Sequence, residues 1–258
     1  MLNIIKSQMY GIRHNIFTYI SVALTIVALI TGTINNLDML GSETPTGSLF
    51  FATSGEFMSF GVFIIVSIGA SCVSGWDFDD NTINYEILYG HSRCQVYWAR
   101  TFTAVVFGII SGILFIITPS LIFTIINGWG YAIPLKEAVI RCLLALFPIL
   151  RISAFAVFLS FLVRKSWGAG IICFFALYIE IIISLFKESE SHYMASENLL
   201  EILSFSNMAY GFANGEDVMI FKDTLSGQFI GITVILSVVM FAGTLWAGYA
   251  LFRKRNLQ

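Results

Sequence analysis

The chain has 258 residues, of which 57% are hydrophobic and 12% are charged, and its mean hydropathy is +0.82. An ordinary soluble domain is about 45–50% apolar and about 25% charged, so this composition excludes a soluble enzyme and indicates a chain whose main solvent is lipid. The net charge of −2 and the lack of a basic stripe give no indication of nucleic-acid binding.

The first predicted element is an amphipathic helix. A stripe of apolar residues recurs at helical spacing before the first long apolar run: Leu2, Ile5, Met9, Ile12 and Ile16. Lys6 and Arg13 lie off this stripe. We therefore expect an interfacial helix at about residues 2–15, lying in the plane of the membrane surface; an irregular tail before the first span is the alternative.

Apolar runs long enough to cross the hydrocarbon core predict six transmembrane helices. Their approximate bounds are residues 16–34, 57–75, 101–126, 138–163, 167–186 and 229–252. The predicted fold is an all-α integral membrane protein with one transmembrane domain over residues 1–258.

Basic residues in the short loops predict the orientation, because Lys and Arg resist translocation. One side of the predicted membrane collects Lys6, Arg13, Arg93, Arg100, Arg164, Lys165, Arg253, Lys254 and Arg255. The other side has Lys136, Arg141, Lys187 and Lys222. We therefore expect a multi-pass protein of the plasma membrane with both termini in the cytoplasm.

The cytoplasmic loop after the second span, residues 77–93, predicts a short helix. Asp79 or Asp80 can cap its start, Ile83 and Ile87 share one face, and Gly90 suits a left-handed stop. Its apolar and aromatic surface suits a groove on a partner protein, although a connector helix resting on the headgroups is the alternative. The candidate partner-coupling residues are Asp79, Asp80, Thr82, Ile83, Tyr85, Glu86, Ile87, Leu88, Gly90, Ser92 and Arg93.

This loop resembles the coupling helix of the type-two family of ABC exporter permeases, which includes bacteriocin and lantibiotic immunity permeases. The residues that occupy the places of the family's motif are Asp77, Thr82, Ile83, Ile87, Leu88, Gly90, Ser92, Arg93 and Arg100, while Asn81 stands where the family usually has Gly. The layout of an interfacial helix, six spans and a long external segment before the last span is also similar. The resemblance implies a subunit that pairs with a second six-span permease, the same or a related chain, and with two ATP-binding cassette subunits.

Recognisable catalytic motifs are lacking in the sequence. It has no phosphate-binding loop of the form G-x-x-x-x-G-K-[ST], no H-E-x-x-H pair and no G-x-S-x-G elbow. We therefore predict no catalytic, cofactor-binding or metal-binding residue in this chain, and expect ATP and Mg to be bound by a partner subunit. The predicted function is ATP-driven export of an amphipathic peptide antibiotic or another hydrophobic compound. A self-sufficient channel or secondary transporter, or a non-transporting assembly factor, are the alternatives.

Two charges fall inside predicted spans, Arg151 in the fourth and Glu180 in the fifth. Because a charge facing lipid costs at least about 2.5–3.5 kcal/mol, we expect both side chains to face the protein interior. Their similar distance from the short turn at residues 164–165 predicts an intramembrane Arg151–Glu180 ion pair. Separate contacts with a water-filled cavity or a partner subunit are the alternative. We expect the long external segment, residues 187–228, to dip into the outer leaflet or to cap the bundle.

Overall fold

The computed structural model describes residues 2–14, 46–79, 86, 88–186, 193–213 and 216–254, with positions 19–20, 22–23, 25–27, 30–31 and 34. The elements are α1 (Leu2–His14), α2 (Gly47–Thr53), α3 (Gly55–Asp79), α4 (Arg93–Asn127), α5 (Leu135–Val163), α6 (Ser166–Leu185), α7 (Ala195–Leu203), β1 (Met208–Ala213), β2 (Glu216–Phe221) and α8 (Gly227–Lys254).

Five helices of the described part of the chain are long and apolar enough to cross a membrane. The candidate spans are Gly55–Trp76, Arg93–Asn127, Leu135–Val163, Ser166–Ser184 and Gly227–Lys254. The length and composition of these helices therefore confirm the prediction of a mostly helical, multi-pass membrane protein. Most of the predicted first span, residues 16–34, lies outside the described residues.

The helix bounds agree with the predicted spans except at α4, which begins at Arg93 rather than at about residue 101. A capping box explains the earlier start: Gln95 N donates to Ser92 Oγ at 3.3 Å, and Ser92 N donates to Gln95 Oε1 at 3.4 Å. These bonds satisfy amides that a helix start otherwise leaves unpaired. Hydropathy alone does not register such a cap, because the first residues of α4 are polar.

Helix α3 is the centre of the bundle and packs against α4, α5 and α6. Serine side chains join it to α5: Ser71 Oγ donates to the carbonyl of Ala156 at 3.2 Å, and Ser74 Oγ lies 2.6 Å from Ser160 Oγ. Small residues at such interfaces let helices approach closely. Close packing and interhelical hydrogen bonds hold helices together in a membrane, because the hydrophobic effect does not act between helices in lipid.

Aromatic packing brings together the ends of α3, α5 and α8 and the beginnings of α4 and α6; we call this the basic end. The Tyr97 ring lies 4.8 Å from Phe161 and 6.0 Å from Phe252, centroid to centroid. Tyr97 Oη also donates to the Leu245 carbonyl at 2.7 Å. The described basic residues here are Arg93, Arg100, Arg164, Lys165, Arg253 and Lys254.

The opposite end is covered by a cap, which we define as α2, residues 128–134, residues 193–213 and residues 216–226. Within it α7 packs against α3, α5 and α6, and β1 pairs antiparallel with β2 from Met208 opposite Phe221 to Ala213 opposite Glu216. Phe221 N donates to the Ala132 carbonyl at 2.9 Å, which ties the hairpin to the loop before α5. The hairpin is an element that the sequence analysis did not predict.

Candidate functional site

Part of the predicted coupling segment, residues 79–93, lies within the described residues. The structure describes Glu86 and residues 88–93, and it describes the backbone of Asp79 as the last residue of α3. The predicted positions Asp80, Thr82, Ile83, Tyr85 and Ile87 lie outside the described residues.

An ion pair fastens this segment to the bundle. Arg100 Nη2 lies 2.9 Å from Glu86 Oε2, and the side chain of Arg100 is fully buried while that of Glu86 is 24% exposed. Pairing is what makes a buried guanidinium tolerable, because an uncompensated buried charge is costly. The ion pair therefore holds Glu86 against α4.

The described part of the segment has two exposed apolar side chains, Leu88 and Tyr89, which we call the tip. Leu88 is 81% exposed and Tyr89 is 85% exposed. Gly90 follows with φ of +89°, the left-handed conformation that the sequence predicts and that glycine adopts without steric cost. Ser92 is the N-terminal cap of α4 through its hydrogen bonds with Gln95. Local helix capping therefore explains why the motif has a serine at this position.

Arg93, the last predicted coupling residue, contacts a second span. Its Nη1 donates to the carbonyl of Arg253 at 3.4 Å, near the C-terminal end of α8. A cation is favoured there, because carbonyls at a helix end carry partial negative charge. The beginning of α4 is thereby joined to the end of α8.

A second site lies under the cap and centres on Arg141, which is fully buried. Nη1 donates to the carbonyls of Ile202 and Ser204, both at 3.0 Å, and Nη2 donates to the carbonyl of Asp223 at 2.9 Å. Nε donates a hydrogen bond to Glu137 Oε1 at 3.2 Å. The rigid fork of the guanidinium suits such convergent acceptors, which a lysine could not match.

Aromatic packing adds to the Arg141 site. The guanidinium carbon lies 3.8 Å from the centroid of the Phe205 ring, an arrangement that attracts a cation to the face of the ring. Residues 202–205 and residue 223 are thereby held on one side chain of α5. Sequence reasoning counted Arg141 only as a loop charge and missed this role.

Asp223 holds the neighbouring turn of the cap together. Its carboxylate accepts hydrogen bonds from Ser206 N at 2.6 Å, from Asn207 N at 2.9 Å and from Asn207 Nδ2. Burial raises the pKa of Asp223, but these hydrogen bonds and the nearby charge of Arg141 outweigh it and hold the pKa below its ordinary value.

The structure gives Arg151 and Glu180 separate hydrogen-bond partners, and the predicted ion pair between them stays a prediction. Among the ion pairs of the described residues none joins these two side chains, although their charges are close enough to interact. Arg151 Nη1 donates to the carbonyl of Tyr193 at 2.7 Å, and Glu180 Oε2 accepts from Ser196 Oγ at 2.9 Å. The cap supplies each charge with its own partner: Arg151 binds Tyr193, the residue before the N-terminal cap of α7, and Glu180 binds the first turn of α7.

The remaining candidate chemistry in the described residues is sparse. They contain no group of three His, Cys, Asp or Glu side chains that could hold a metal ion. Cys72, Cys94, Cys142 and Cys173 form no disulfide bond, and Cys72 and Cys173 are buried.

Comparison with known proteins adds no assignment. The chain matches no family in a scan against models of protein families, and it matches no curated protein.

Proposed function

We propose that this chain is the membrane-spanning permease subunit of an ATP-driven ABC exporter. The observation that supports it best is the route from the exposed tip at Leu88 and Tyr89, through the Glu86–Arg100 ion pair, to the first turns of α4. An exposed apolar tip is suited to a groove on a partner. The buried ion pair gives the tip a direct link to a span.

In this proposal the chain binds no ATP itself. Two ATP-binding cassette subunits bind ATP and Mg and press on the coupling segment, and a second six-span permease, the same or a related chain, completes the pathway. The basic end faces the cytoplasm, in accordance with the bias of basic residues toward that side. The amphipathic helix α1 lies at that surface, and residues 16–34 supply the sixth span.

The cargo in this proposal is an amphipathic peptide antibiotic or another hydrophobic compound. The resemblance of the coupling segment to bacteriocin immunity permeases supports this choice, as does the apolar surface of the spans. In this proposal the cap covers the far end of the pathway, where Arg141, Arg151 and Glu180 bind it from the spans.

The test is whether an ATP-binding cassette protein co-purifies with this chain from its native membrane, followed by measurement of the ATPase activity of the purified complex. Leu88→Asp should reduce both co-purification and permease-dependent ATPase activity, because it places a carboxylate in a desolvated contact. Tyr131→Asp is the matched control, since Tyr131 is 57% exposed but lies in the cap. Unchanged activity in a well-expressed Leu88→Asp variant would contradict the proposal.

A further inference from the structure

An apolar groove of about 610 Å³ runs along α4; we call it the α4 groove. Its wall is formed by α4 residues spaced four apart, which form one inclined row along the helix surface: Phe102, Val106, Ile110, Leu114, Thr118 and Ile122. Val22, Thr25 and Ile26 line it from another side. The volume is that of a small-molecule site, but the lining offers few polar groups.

One end of the groove is closed by α1. Ile5, Met9 and Ile12 line this end, while Ile4 on the same helix packs against Val96 and Ala99 of α4. The amphipathic α1 thus covers the groove where α4 begins, and the groove continues toward the cap end.

The length of the α4 groove and the residues at its α1 end match a binding site for a phospholipid. From Phe102 to Ile122 the helix rises about 30 Å, the full thickness of the hydrocarbon core, so the half of the groove nearer Phe102 has the depth of one leaflet and of one acyl chain. Trp98, one turn before Phe102, is 37% exposed, and tryptophan is enriched at the level of the headgroups. The closed end therefore lies where a phosphate would be, and the open length lies where acyl chains are.

The charge at that end favours an anionic headgroup. Helix α1 carries Lys6 and Arg13 and no acidic residue. Lys6 is exposed and follows the groove residue Ile5 directly. A cation at headgroup level beside an apolar slot is complementary to a phospholipid that has a net negative charge.

We propose that the α4 groove binds the acyl chain of an anionic phospholipid whose phosphate contacts Lys6. The lipid would fasten α1 to α4 at the basic end. This inference rests on the groove and on its charge and does not depend on the proposed ATP-binding partners.

The test uses the full-length protein in nanodiscs of phosphatidylcholine that contain a minor share of phosphatidylglycerol with a photoactivatable acyl chain. After illumination, peptide mass spectrometry should find lipid adducts concentrated on α1 and on the groove face of α4. Ile110→Trp, at a position 53% exposed, should fill the groove and remove most of these adducts. Ile179→Trp is the matched control, since Ile179 is also 53% exposed but lies on α6 outside the groove.

A charge variant tests the headgroup. Lys6→Glu should weaken the preference for phosphatidylglycerol over phosphatidylcholine by at least about fivefold, whereas Lys254→Glu should leave it unchanged. Adducts spread evenly over the exposed faces of α4 and α6, or adducts unaffected by Ile110→Trp, would overturn the proposal. So would equal labelling by the two lipids, or cross-links between two copies of the chain at Ile110, which would make a second copy the occupant.

Discussion

Arg141 on α5 donates a 2.9 Å hydrogen bond from Nη2 to the backbone carbonyl of Asp223, in the segment that leads into α8. The same guanidinium binds the carbonyls of Ile202 and Ser204 at the end of α7. One buried side chain thus joins three separate parts of the chain, and the position of the cap relative to the spans depends on it.

Replacement of Arg141 should destabilise the protein more than any surface change at the same end. Arg141→Ala leaves three carbonyls without their donor, at a cost of about 3 kcal/mol or more, and Arg141→Lys should recover only part of it. The thermal unfolding midpoint of the purified protein is the measurement. Lys136→Ala, at an exposed position one turn away, should change stability by less than about 0.5 kcal/mol; equal midpoints for Arg141→Ala and Lys136→Ala would contradict the assignment.

Stability should also fall in acid because of Asp223. Its lowered pKa means that the folded state binds its proton less readily than the unfolded state does. Its stabilisation is therefore complete above the ordinary carboxyl pKa of about 3.9 and is lost as the pH falls through the lowered value. Thermal midpoints measured from about pH 6 to about pH 3 should converge between wild type and Asp223→Asn; a constant difference over this range would show that ionised Asp223 is not the stabilising group.

Hydropathy and helical spacing were sufficient to place α3, α5, α6 and α8, because lipid imposes a minimum length and an apolar composition on each span. The β-hairpin was missed although Asn214-Gly215 is the strongest short-range signal for a two-residue hairpin turn. The apolar residues around this turn indicate burial as readily as they indicate strand pairing.

The contacts of the internal charges could not be predicted from depth along the helices. Arg151 and Glu180 were expected to pair with each other because no other partner was visible in the spans. In the structure, polar groups of residues 193–196 lie beside them. Such long-range insertion of a loop leaves no periodic pattern in the sequence. Arg141 does have a local signal in the sequence: a glutamate lies four residues earlier in an apolar run, which indicates an ion pair on one helix face.

Exchange of the two charges should not restore a damaged protein. Arg151→Glu places a carboxylate against the carbonyl of Tyr193, which repels it, and Glu180→Arg cannot correct this defect. The yield of folded protein, measured by fluorescence-detected size exclusion, should therefore stay low in the double exchange. Glu180→Gln keeps an acceptor for Ser196 and should retain most of the yield, whereas recovery by the double exchange would show that the side chains pair directly.

The proposed orientation predicts which positions are reachable from outside the cell. In a background in which the four natural cysteines are replaced, Lys222→Cys should react with an impermeant thiol reagent on intact cells, and Lys254→Cys should react only after lysis. Both lysines are exposed and lie at opposite ends of the bundle, so access through the membrane decides the result. Labelling of Lys254→Cys on intact cells would reverse the orientation.

Site-specific photocross-linking can show whether the tip of the coupling segment docks on an ATP-binding cassette protein. A photoreactive amino acid is placed at Tyr89, which is 85% exposed, and at the control position Tyr131 in the cap, which is 57% exposed. The captured protein is identified by mass spectrometry after illumination of intact cells. We expect an ATP-binding cassette protein to be captured from position 89 and not from position 131. Capture from position 89 of only a protein without a phosphate-binding loop, or of lipid alone, would show that the tip does not dock on such a subunit.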